Sequence, residues 1–162
     1  MASTLEKDPP MSAPANTGRI TKVLYTAQAT VEGGRNGHGR SSDGQLEVNL
    51  AVPSSMGGAT GVGTNPEQLF AVGYAACFQS AILNVAHGRG LDLEGSRIDS
   101  TVAIGPTGHG GMGLAVTLDL HADNLSRDDA VSVLARADQL CPYSNATRGN
   151  IDVSLKFEGE PI

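Results

Sequence analysis

Four residues of this 162-residue chain are of types that do chemistry together: Cys77, Cys141, Arg35 and Glu67. A cysteine is a nucleophile only as its thiolate, so its surroundings decide whether it reacts. Cys77 lies among Tyr74, Ala75, Ala76 and Phe78, an apolar setting that raises a thiol pKa. Its reactivity calls for a nearby cation, and Arg35, carried on a glycine-rich turn, is the candidate. A guanidinium stays charged when partly buried and can bond a thiolate and a carboxylate at once. Glu67 is the carboxylate that would hold the fork. The ordinary alternative is that both cysteines are small buried hydrophobes. A geometric condition attaches to the functional reading, because Glu67 and Cys77 are about 15 Å apart along a straight helix. One arginine reaches both only if the helix breaks near its start, if Glu67 lies outside it, or if the groups meet across subunits.

The elements that must position these residues follow from pattern. Residues 20–31 are rich in β-branched side chains and predict a strand. Gly33, Gly34, Gly37 and Gly39 then mark a turn carrying Arg35, His38 and Arg40, and alternation of Leu46, Val48, Leu50 and Val52 predicts a second strand. After a glycine-rich loop at 57–64, Asn65 suits an N-cap, Pro66 the first helical position and Gln68 a capping box. The helix they open is apolar on nearly every face and is closed by Gly88 or Gly90, so it must be buried on all sides, by other helices or by a second subunit. Alternating segments at 98–104 and 114–120 predict a hairpin. Ser126, Asp128 and Asp129 open a second helix whose apolar stripe runs to Cys141, where Pro142 stops it. A last strand covers 151–157. The predicted fold class is α+β, in the order ββαββαβ with antiparallel pairs. Residues 1–18, with three prolines among small polar residues, read as a disordered tail before a single domain over 19–162.

Composition narrows the function classes. A net charge of −6 argues against a nucleic-acid or anionic-membrane binder, and three Phe, three Tyr and no Trp make a base-stacking platform a poor fit. Two cysteines cannot build a secreted disulfide framework, and His38, His87, His109 and His121 lack metal-ligand spacing, so neither metal nor cofactor is expected. The N-terminal stretch has no apolar signal-peptide region and the apolar run at 69–83 is short for a membrane span, which makes a cytoplasmic protein the expectation.

Three motifs fail on context. Gly108, Gly110 and Gly113 match the dinucleotide fingerprint, but a strand rather than a helix follows them. Cys141-Pro142-Tyr143-Ser144 is similar to a glutaredoxin loop, yet Cys141 ends a helix instead of beginning one. The sequons at Asn124 and Asn145 mean little without a secretory signal.

GGRNG around Arg35, SSDGQLEV, TNPEQLFAVGYAACF around Cys77 and CPYSNATRGNIDV around Cys141 resemble the organic hydroperoxide resistance (Ohr) proteins of the Ohr/OsmC superfamily. The resemblance spans residues 20–157 with its motifs in order. It implies an intertwined homodimer with antiparallel sheets wrapped around central buried helices. It implies a peroxidatic Cys77, a resolving Cys141, and activation by Arg35 and Glu67. It further implies organic, including lipid-derived, hydroperoxides as substrates and a dithiol reductant, a lipoylated protein. The apolar residues Leu69, Phe70, Phe78 and Ile82 would suit an alkyl chain, although core packing explains each of them equally well. Alternatives are an OsmC-type peroxidase with a different peroxide preference, a non-catalytic module binding a small apolar ligand, and a purely structural dimer.

Overall fold

The computed structural model describes residues 19–59 and 61–162. Within them the chain runs β1 (Ala29–Glu32), β2 (His38–Ser41), β3 (Glu47–Asn49), α1 (Pro66–Arg89), β4 (Arg97–Pro106), β5 (Met112–His121), α2 (Arg127–Leu140), α3 (Pro142–Thr147), β6 (Asp152–Phe157) and β7 (Glu160–Pro161). The α+β class stands. β1-β2-β3 form an antiparallel sheet, and β4-β5-β6-β7 form a second, mixed one. The tail reading at 1–18 lies outside the described residues.

Elements of the second sheet follow the predicted pattern closely. β4 and β5 pair antiparallel from Arg97↔His121 to Pro106↔Met112, so the glycines at 108–113 do lie at a hairpin connection. One pairing corrects the expectation of wholly antiparallel sheets: β5 and β6 are parallel, with Leu118 opposite Leu155. Helices α2 and α3 form the crossover between these two strands, the connection that a parallel pair requires. His121 is largely buried at the end of this sheet. Its Nδ1 lies 2.8 Å from Glu158 and its Nε2 lies 3.2 Å from Asp99 and 3.6 Å from Asp119.

α1 begins as its sequence dictates. The Asn65 side chain accepts the Gln68 N–H at 2.9 Å and Pro66 fills the first turn, while Gly90, at φ 69°, closes the far end. Gln68 bonds Thr64 rather than completing the capping box. Tyr74, Phe78, Ile82 and Val85 form a buried stripe at helical spacing. It meets Val116, Leu118 and Leu120 of β5 and Ala130, Val133, Leu134 and Ala137 of α2 in one continuous core. Each large side chain so buried contributes about 1.5–3 kcal/mol. The helix is longer than the run at 69–83 suggested, and by length and composition it could cross a membrane. Its buried stripe instead packs on a sheet and a second helix, and the other faces, with Val72 and Leu83, stand open in the single chain.

The N-terminal region departs most from expectation. The strand predicted over 20–31 is reduced to Ala29–Glu32: among the described residues the register with β2 begins at Ala29, the Gln28 carbonyl accepts one further bond from Ser42 N–H at 2.9 Å, and Val23, Leu24 and Tyr25 are exposed. The turn expected after Gly33 is a single 3-10 turn (Gly34–Asn36) followed by β2, an unpredicted strand. Gly37 makes this tight connection possible, since a Cβ there would collide with the Glu32 carbonyl oxygen. The second predicted strand, 46–52, shortens to β3, with Leu50 bridging Thr64 just before α1.

Candidate functional site

Cys77 projects from α1, half-buried against the core, and Cys141 is fully buried between α2 and α3. Their sulfurs lie 3.6 Å apart, with both thiols free. The α2 stripe carries Cys141 to this point, and its N–H bonds the Ala137 carbonyl at 2.8 Å. Pro142 does end α2, but it also opens α3 at a position where its missing N–H costs nothing. Cys141 is thus both the last cap of α2 and the first cap of α3. The expectation that it ends a helix instead of beginning one is corrected: it does both.

Helix α3 is fastened to α1 beside the thiols. The Tyr74 hydroxyl lies 3.0 Å from Ser144 Oγ and 3.1 Å from Thr147 Oγ1. The Tyr143 ring stacks at a tilt on both Tyr74 and Phe70, with centroids 5.6 and 5.9 Å apart. Gly73 permits this approach: a Cβ there would come within 3.0 Å of the Tyr143 hydroxyl. Burial pushes the Cys77 thiol above the ordinary cysteine value. The backbone N–H of Tyr143 opposes that shift, and Cys141 adds to it.

Arg35 and Glu67 form a second constellation. The Arg35 guanidinium donates two parallel hydrogen bonds to the Glu67 carboxylate, at 2.7 and 2.9 Å. Arg35 sits in the 3-10 turn, which is pinned by Leu50 N–H to the Gly37 carbonyl at 2.8 Å and by Val52 N–H to Asn36 Oδ1 at 3.2 Å. Hydrogen bonding from Arg35 holds Glu67 below the usual carboxylate range against the opposing effect of burial, and the same bond raises Arg35. Arg35 is still 40% exposed, whereas Glu67 is 12% exposed.

The structure brings these residues together as two pairs, not as one cluster. α1 is unbroken from Pro66 to Arg89 and contains both Glu67 and Cys77, which removes two of the three geometries that the sequence left open. Within one chain the ion pair and the thiol are about 15 Å apart along the helix. Among the described residues, the side-chain hydrogen bonds of Arg35 go to Glu67 alone. A cleft of about 560 Å³ opens at the Glu67 end, lined by Met56, Gln68, Ala71, Val102 and Ile104, and neither cysteine reaches it.

Of the apolar residues proposed to receive an alkyl chain, Leu69 and Phe70 are half-buried. Phe78 and Ile82 are wholly buried in the core, and a side chain without exposed surface offers none to a ligand, so core packing accounts for both. The residues that the sequence reading missed are Tyr74, Ser144 and Thr147. The signal was faint: Tyr74 stands one helical turn before Cys77, and Ser144 and Thr147 follow Cys141 at α-helical spacing. Thr147 is also the third residue of the Asn145 sequon, where its hydroxyl is used internally. Among the described residues, no group of three or more His, Cys, Asp or Glu side chains is arranged to hold a metal.

Comparison with known proteins gives a consistent picture. A family profile described as OsmC-like protein matches residues 57–156. An organic hydroperoxide resistance protein of Xanthomonas axonopodis pv. citri is 52% identical over 135 residues, covering 83% of this chain and 94% of that protein. The crystal structure of an organic hydroperoxide resistance protein from Legionella pneumophila superposes with a TM-score of 0.79 at 48% identity, covering 84% of this chain and 98% of that one. That of the organic hydroperoxide resistance protein OhrB of Bacillus subtilis gives 0.77 at 41% identity, covering 84% and 100%.

Proposed function

We propose, from the premise that this chain belongs to the OsmC-like family and to its organic hydroperoxide resistance branch, that it detoxifies organic hydroperoxides as a thiol-dependent peroxidase. The observation that carries the thiol mechanism is the 3.6 Å separation of Cys77 and Cys141. A disulfide needs about 2.05 Å between sulfurs, so the two have only about 1.5 Å to close. Cys77 is the more accessible of the two, which suits it to meet the peroxide first, and the wholly buried Cys141 suits resolution.

In the first step the Cys77 thiolate attacks the distal oxygen of ROOH. The O–O bond breaks, the alkoxide leaves and takes a proton to become the alcohol, and Cys77 becomes a sulfenic acid. In the second step the Cys141 thiolate attacks the sulfenic sulfur. The S–S bond forms, the S–O bond breaks, and hydroxide leaves as water after protonation. An external dithiol then reduces the disulfide by exchange. A lipoylated protein is the reductant that family membership suggests, and a cytoplasmic location fits a cycle that needs reduced thiols.

The active unit in this reading is a homodimer. In the isolated chain burial raises the Cys77 thiol above its ordinary value, and its expected cation is about 15 Å away along the helix. An unbroken helix α1 with open apolar faces supports a partner copy laid along it, which would bring the partner's Arg35–Glu67 pair to Cys77. A bidentate fork held by its carboxylate presents a fixed positive charge, the feature that favours a thiolate.

The test is rapid mixing of the reduced protein with an organic hydroperoxide and, separately, with hydrogen peroxide, followed by mass spectrometry. Fast thiol loss with the organic peroxide and a Cys77–Cys141 disulfide are expected. Equal sluggishness with both peroxides, and no disulfide, would overturn the reading.

A further inference from the structure

The mechanism above uses two sulfurs but does not say what keeps them in register. Cys141 caps, and Tyr143 lies within, a helix of only six residues, α3, which opens on Pro142 and runs into the Gly149 turn. Such a short helix has little stability of its own. Its position therefore depends on what it is tied to. On α1 that tie is a buried hydroxyl cluster: Tyr74, Ser144 and Thr147, each less than a tenth exposed. Thr147 has a second fastening in the Tyr143 carbonyl at 2.9 Å, whereas the side-chain bond of Ser144 is to Tyr74 alone among the described residues.

We propose that Tyr74 is a positioning residue, which through its hydroxyl bonds to Ser144 and Thr147 holds Cys141 against Cys77 and so decides whether the oxidised Cys77 is resolved or over-oxidised. Tyr74 is one helical turn from Cys77 on α1, and Ser144 is three residues from Cys141 on the facing segment. The hydroxyl bridge thus parallels the sulfur pair at about one turn's remove, and the two contacts rise and fall together. A sulfenic acid has two exits. Attack by Cys141 expels hydroxide and gives the disulfide. Attack of the sulfenate on a second ROOH breaks another O–O bond, releases a second alcohol and leaves sulfinic acid. The first exit depends on the S–S separation and the second does not, so a loosened bridge shifts the partition toward sulfinate.

This inference rests on the peroxidase reading, and the experiment separates the two. Wild type, Tyr74→Phe and the double variant Tyr74→Phe/Ser144→Ala are each treated with an organic hydroperoxide. Mass spectrometry then gives the ratio of Cys77 sulfinate to Cys77–Cys141 disulfide, and unfolding gives stability. Phenylalanine keeps the ring and its packing but leaves Ser144 Oγ buried without a partner, and the added alanine removes that orphan. The expected result is a rise of about fivefold in the sulfinate ratio in both variants, the change a single net hydrogen bond of ordinary strength produces. Stability should fall in Tyr74→Phe and return toward wild type in the double variant. A sulfinate ratio that returns with stability, or that stays at the wild-type value in Tyr74→Phe, overturns the positioning role alone. If wild type itself forms no disulfide, the peroxidase reading falls and this inference with it. Should Tyr74→Phe fail to fold, the double variant carries the test.

Discussion

The two sheets of this molecule solve different problems. Sheet β4–β7 has a complete core of its own: Val116, Leu118 and Leu120 are buried under α1 and α2, and Cys141 is sealed among them. Sheet β1–β3 has almost none. Every residue of β1 is exposed, β3 has only Val48 half-covered, and among the described residues of the region Leu50, just beyond it, is the one large apolar side chain that is buried. A three-stranded sheet without a covered face is not stable by itself in water. The difference maps onto the chemistry, because the thiols belong to the region that packs alone and Arg35 belongs to the region that does not. Cysteine placement is thus a property of one chain's fold, while in the proposed mechanism activation would depend on what covers the other sheet.

The largest effect that tests this contrast is thermodynamic. Leu134→Ala, in the core of α2, should cost about 2–5 kcal/mol in urea unfolding. Val31→Ala, on the open face of β1, should cost less than about 0.5 kcal/mol in dilute protein. The Val31 cost should grow with protein concentration if a second copy covers that face, since mass action then adds the lost contact to apparent stability. Equal costs for the two variants at low concentration would break the comparison and mean that β1 packs within its own chain.

The same contrast explains what the sequence made legible. α1 was readable from its caps, and α2 and the β4–β5 hairpin from their period, because these signals are local. The strand expected over 20–31 was not, since β-branched composition reports a preference for a pleated, half-buried surface and no such surface exists beside Val23 or Leu24 in the single chain. β2 was hidden by glycines that look like punctuation. The parallel β5–β6 pair was hidden because alternation is blind to strand direction. At the site, residue types picked out Cys77, Cys141, Arg35 and Glu67, and two pairs among them do meet. Their division into separate pairs depends on the unbroken run of α1, which no residue type reports. Tyr74 looked like core because it is core; its hydroxyl matters only once α3 has been placed.

A kinetic effect of middle size sharpens the link between the two regions. Arg35→Ala should leave the 3.6 Å sulfur pair untouched, because none of its contacts lies in that core. It should nevertheless slow Cys77 oxidation by about tenfold at neutral pH and move the midpoint of the pH–rate profile upward by about one pH unit, as loss of one close cation does to a thiolate. Stopped-flow thiol loss across the pH range measures both. An unchanged profile would mean that the ion pair serves only the N-terminal sheet.

The smallest effect is the most specific to the junction between the sheets. Arg35 holds the Glu67 carboxyl below its ordinary value of 4.5, so the ion pair contributes stability above that pH and loses it as the pH falls through the lowered value. Glu67→Gln removes this proton linkage. Relative to wild type it should therefore be less stable at neutral pH, and the deficit should shrink progressively below about pH 4.5. Because the guanidinium is partly exposed, the neutral-pH deficit should also shrink in about 1 M salt, where the screening length falls to about 3 Å. Urea midpoints on a grid of pH and salt measure both dependences. A deficit that ignores pH would show that Glu67 acts through packing at the start of α1 rather than through its charge. Arg35 would then be free to meet Cys77 without a carboxylate to hold it, and Arg35→Ala and Glu67→Gln would no longer share a pH signature.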